Sequence, residues 1–315
     1  MRVVKTAAGR SMIVFVAASV FCSLMSKIMV TRYFFDYPVV ILMMQSAATL
    51  FVIEVTRVLG ILKVAPYCFE KGRHIVIPSI LYTISQWITV ASFEGIAMPN
   101  FDSVKRLTPI LILVGLAARN RQQRVDQNKT FIIIGLSIAS AFAVNLDLSV
   151  DRYSLMYGLV GAILQAAAFV LFEEHLQNYN YTEVLYMHSF NSLVFYLLAD
   201  MVRDELRDAF MYMITSAHPL FIIVFAVSMF AGVLFHFTTF SCLEKNGPLN
   251  MQIVSNVRAV VETFLAYYLS VYLFYDVYPG VLNWAFLAVT FVAARALVNR
   301  DCEPEIVKGP WMSKA

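Results

Sequence analysis

Between Ser11 and Val30 the chain carries one charged side chain, Lys27, and apolar runs of similar length recur to about residue 299. A helix rises 1.5 Å per residue, so a run of about 20 residues spans roughly 30 Å, the thickness of a bilayer's hydrocarbon core. Hydrophobic residues make up 60% of the 315 residues and charged residues 14%. A soluble domain carries about 25% charged residues. Lipid is the solvent that tolerates such a surface. Within it every backbone polar group must be paired inside the segment, which selects helices.

Spans are expected at about 11–31, 38–59, 74–94, 101–118, 130–148, 153–174, 183–202, 218–242, 249–272 and 279–299. The first run is longer than the core of a cleavable signal and reads as a retained span. The expectation is an all-α integral membrane protein of about ten transmembrane helices arranged as two inverted five-helix repeats. The first repeat covers 1–148, the second 149–300, and 301–315 is a polar tail. Pro99 precedes the basic pair Lys105-Arg106 and Pro248 precedes Arg258, in spans that hold equivalent places in the two halves.

With the N-terminus in the cytosol, fifteen basic residues fall on the cytosolic side, against Arg32, Arg152, Arg203 and Arg207 opposite. By the positive-inside rule both termini are cytosolic. The sequons at Asn128 and Asn180 then face the cytosol and should carry no glycan. The four cysteines show no paired spacing, so neither a disulfide framework nor a metal site is expected. There is no H-E-x-x-H, G-x-S-x-G or Walker A motif, so an enzyme and a cofactor are not expected. A net charge of +3 without a basic run gives no footprint for nucleic acid.

Charges inside apolar runs are costly and mark cavities or partners. Arg258 lies deep in the ninth span; it either holds an anion or pairs with Glu262 one turn away. Lys105 and Arg106 are adjacent, so on a straight helix they point about 100° apart. One is expected to face a cavity while the other snorkels towards the membrane surface. Lys27, near the end of the first span, is open to the same two readings. Together these residues point to an anion, and phosphate suits both the arginine fork and the lysine point charge. Gln45, Gln165, His188, Asn191, Asn246, Ser255 and Asn256 are the polar groups within spans that would read the rest of a ligand, or else bond helix to helix.

The order of these features resembles the nucleotide-sugar transporters of the drug/metabolite transporter superfamily. "SKIMVTRYFFDYPVVILMMQ" is similar to the family's N-K, F-P and L-x-x-x-Q pattern, with Lys27, Pro38 and Gln45 matching and Ser26 replacing the Asn. "GIAMPNFDSVKRLTPILIL" resembles the stretch ending in paired arginines, here Lys105-Arg106. "FTTFSCLEKNGPLNMQIVSNVRAVVETFLAYYL" is similar to the UDP-sugar branch. There Asn246, Leu249, Ile253 and Val254 match, Arg258 stands at the lysine, Ser255 replaces a glycine and Ala259 an asparagine. The G-A-L-N-K sequence of the GDP-sugar branch is absent. "FNSL" resembles Y-N-A-L, placing Asn191, or His188 if the alignment slips, near a base-recognition site.

The resemblance implies a ten-helix carrier in the Golgi membrane, or alternatively the endoplasmic-reticulum membrane. Its ligands would be a nucleotide sugar, most simply a UDP-sugar, and the nucleoside monophosphate exchanged for it. It leaves a homodimer open. A carrier of GDP-sugar or sugar phosphate, a membrane-embedded enzyme and a non-transporting scaffold are the alternatives.

Overall fold

A computed structural model describes residues 7–93, 98–119, 127–144, 151–215, 218–269 and 280–301. Among them every regular element is helical: α1 (Ala7–Tyr33), α2 (Pro38–Val58), α3 (Phe69–His74), α4 (Val76–Ala91), α5 (Met98–Lys105), α6 (Thr108–Arg119), α7 (Gln127–Val144), α8 (Arg152–Leu176), α9 (Tyr181–Arg203), α10 (Glu205–Thr215), α11 (Pro219–Leu269) and α12 (Val281–Asp301). Stretches in α1, α2, α8 and α11 are long and apolar enough to cross a bilayer. All of the tail except Asp301, including Cys302, lies outside the described residues.

The solvation pattern is that of a membrane protein. Large apolar side chains face outwards, among them Phe51, Val114, Phe131, Ile222 and Phe230. Ser19, Lys27, Gln45, Thr49, Ser79 and Glu262 are buried. Lipid imposes no penalty on the first group, while polar groups turn inwards to find partners. One buried aromatic cluster holds Phe15, Tyr82, Phe169, Phe172 and Phe240. A second, with Met29, Phe35, Val39, Tyr196 and Phe221, packs α1, α2 and α9 against α11.

Three features depart from a plain row of ten spans. Short helices α3 and α10 occupy segments expected to be loops. The eighth and ninth spans run together as α11, bent at Gly247, whose φ of 72° and ψ of 168° only glycine adopts without strain. Pro248 follows and cannot donate to the ladder, so the bend is written into the Gly-Pro pair.

The third departure is in the fourth span, which breaks between α5 and α6 at Arg106 and Leu107. Pro109 cannot donate to the Lys105 carbonyl four residues earlier, and its ring would clash there. The Thr108 hydroxyl donates to that carbonyl instead, at 2.6 Å. Thr-Pro thus opens the helix immediately after its two basic residues.

Candidate functional site

The break at Arg106 determines how the basic pair is presented. Both Lys105 and Arg106 line one cavity of about 130 Å³ walled by α1, α2, α4, α5, α8 and α11. The expectation that one of the two snorkels away is corrected: it assumed a straight helix, and the chain bends at that point. Lys105 donates to the Thr89 hydroxyl on α4 and lies over the Phe101 ring. Arg106 is 8% exposed. Its backbone carbonyl accepts from Asn256 Nδ2 at 3.1 Å, which seats α11 against the break. Its guanidinium reaches the Ser255 carbonyl through Nη1 at 3.4 Å, and among the described residues its buried Nε has no hydrogen-bond acceptor. A buried guanidinium with an unmet donor is costly, and an anion in the cavity would satisfy it.

The same cavity is lined by an ionic node. Glu262 accepts from Lys27 Nζ at 2.8 Å and from Arg258 Nε at 2.9 Å. Ser23 donates to the same carboxylate at 2.7 Å, and Arg258 Nη1 bonds Ser19 at 2.7 Å. Lys27 therefore does not snorkel; it is 4% exposed and paired. For Arg258, the pair with Glu262 expected from their spacing is present, and the arginine also lines the cavity. The node joins α1 to the second half of α11. Such a pair offsets its desolvation only when every lone pair and proton is engaged, as the two serines help to achieve.

Gln45, Gln165, Ser255 and Asn256 also line the cavity. Gln45 is held by the Ser228 carbonyl on α11 at 3.3 Å. The remaining three sequence-predicted residues lie elsewhere. His188 sits behind the cavity wall, its ring 5.4 Å from that of Tyr82, which does line the cavity, and 5.3 Å from Phe172. Asn191 donates to the Gly72 carbonyl at 3.1 Å and accepts from Tyr67, tying α9 to α3 and the turn before it. Asn246 donates to Ser11 at 2.8 Å and to the Cys242 carbonyl at 3.1 Å, bracing the α11 bend against α1. These two asparagines join helices, as polar residues in lipid commonly do.

Beyond Lys27, sequence reasoning did not single out the polar face of α1. Ser19, Ser23 and Ser26 precede Lys27 at three- and four-residue steps or beside it, and all four line the cavity. That helical spacing was the available signal. Gln86 and Thr89 of α4 and Gln252 of α11 were likewise passed over.

Comparison with known proteins supports the family resemblance. No family model matches the chain. It is 23% identical over 255 residues to UDP-galactose/UDP-glucose transporter 7 of Arabidopsis thaliana, covering 80% of this chain and 78% of that one. A Dictyostelium discoideum protein provisionally named a UDP-sugar transporter is 22% identical over 242 residues, covering 75% of this chain and 61% of that one. One crystal structure superposes with a TM-score of 0.64 over 94% of this chain and 99% of the other, at 12% identity, which shows a shared fold. This chain is thus similar to UDP-sugar transporters over most of its length.

Proposed function

We propose that the chain carries a nucleotide sugar, most simply a UDP-sugar, across an internal membrane in exchange for the nucleoside monophosphate. The observation that carries this reading is Arg106, a buried guanidinium with an unmet donor beside Lys105 in a central cavity. The likeness to two proteins named as UDP-sugar carriers supports the choice of ligand.

In this reading Arg106 and Lys105 hold phosphate oxygens, while Arg258 completes the cationic wall. Asn256, Ser255, Gln45 and Gln252 offer hydrogen bonds to base and sugar. The two five-span halves form inverted repeats that rock about this site, admitting ligand first from the cytosol and then from the Golgi or endoplasmic-reticulum lumen. An empty cavity leaves its cations unsatisfied, which slows the return of the unloaded carrier and favours exchange.

The test is purified protein in liposomes loaded with UMP, with labelled UDP-glucose or UDP-galactose outside. Uptake that requires internal UMP is expected. Absence of uptake for every nucleotide sugar would refute carriage, and equal uptake with and without UMP would refute exchange alone.

A further inference from the structure

Among the described residues, the charged side chains lining the cavity are Lys27, Lys105, Arg106 and Arg258 against Asp102 and Glu262. Four bases and two acids leave a formal surplus of two positive charges. Glu262 is 2% exposed and is held by two cations from different helices and by the Ser23 hydroxyl. Lys105 bonds a neutral hydroxyl on α4, and the Arg106 Nε is unmet. Glu262 is therefore neutralised from within the cavity, while Arg106 keeps a donor that no described residue meets.

We infer that Glu262 is a fixed internal anion that sets the charge of the ligand the cavity accepts, making it a site for dianions. The inference rests on the nucleotide reading above. A phosphate monoester carries about two negative charges near neutrality, since its second pKa is about 6. The diphosphate diester of a UDP-sugar also carries two. Free UDP carries one charge more. With Glu262 in place, the first two ligands neutralise the surplus and the third overshoots it in a low-dielectric cavity, where an unmatched charge is expensive. A single site then exchanges two ligands of equal charge and disfavours the diphosphate, without contacting the atoms that distinguish them.

The alternative is that incoming phosphate displaces Glu262 from Lys27 and Arg258. The two ideas differ in a measurable ranking. Dissociation constants for UMP, UDP and UDP-glucose are measured on purified wild-type protein, Glu262→Gln, Lys27→Gln and the double variant. Removing the carboxylate alone raises the surplus to three. In Glu262→Gln the ratio of UDP to UMP affinity should rise about tenfold, the low end of what close charge pairs contribute.

Lys27→Gln alone lowers the surplus and should move the ratio the other way. The double variant restores the surplus of two and should return to the wild-type ranking. If Glu262→Gln fails to fold, the opposite shift in Lys27→Gln still decides. Uniform tightening of all three ligands in Glu262→Gln would show displacement and overturn the inference. An unchanged ranking in both single variants would overturn it too, and would leave the nucleotide reading standing. Failure of wild-type protein to bind any of the three would overturn both.

Discussion

Replacing Arg106 by methionine should move stability and binding in opposite directions. The side chain is 8% exposed, and among the described residues its Nε has no acceptor and its guanidinium makes only the long 3.4 Å contact to the Ser255 carbonyl. An unsatisfied buried donor costs about 1–3 kcal/mol, so methionine of similar length should leave the ligand-free protein as stable or more stable by that order. The contact that seats α11, from Asn256 to the Arg106 backbone carbonyl, survives the change.

Binding should suffer, because a charge-assisted hydrogen bond contributes about 1.5–3 kcal/mol. A loss of about 2 kcal/mol weakens UMP roughly thirtyfold. At a ligand concentration one hundred times the wild-type Kd, ligand stabilisation of about 2.7 kcal/mol should fall below about 1 kcal/mol. Thermal denaturation of purified protein with and without UMP reads both effects. A variant that melts well below wild type without ligand, yet keeps the full UMP-dependent shift, would refute the argument. Arg106 would then be a structural residue.

Other positions test the scaffold and the topology. Gly232→Ala places a Cβ 2.5 Å from Gln45 Cγ and 2.8 Å from its Cβ, so α2 and α11 must part or Gln45 must leave the cavity. Overpacking of this kind costs about 1–3 kcal/mol, and a lower Tm with weaker UMP binding is expected. Gly247→Ala forces a side chain into a backbone region reserved for glycine, also at about 1–3 kcal/mol, and should lower Tm. At Asp151, which caps α8, hydrogen bonds from Ser154 and then the Tyr153 N–H hold the carboxyl below its usual range. Its stabilising effect is therefore present near neutrality and lost as pH falls through that lowered range, seen as faster hydrogen exchange in the first turn of α8 at acid pH only. Asn128 and Asn180 should remain unglycosylated in a eukaryotic membrane, with no mobility change on glycosidase treatment; a shift would reverse the orientation.

How much of this was legible in the chain depends on the range of the interaction concerned. Solvation and helix length are local, so the apolar runs determined an all-helical membrane protein and approximately where its helices lie. The basic residues within those runs determined that an anion-binding interior was worth expecting. The Arg258–Glu262 pair was legible because it lies one helical turn apart.

Lys27 and Glu262 are separated by 235 positions, and only packing of α1 on α11 brings them together. Likewise, Asn191 and Asn246 carry side chains that suit a ligand as well as a neighbouring helix, and tertiary contact alone assigned them to the helices. Lys105 and Arg106 combine both cases. Thr108-Pro109 already encoded a break, a local signal that a straight-helix reading overlooked. The direction of the bend, which turns both charges into one cavity, belongs to the tertiary structure, where Asn256 of α11 bonds the Arg106 carbonyl at the break.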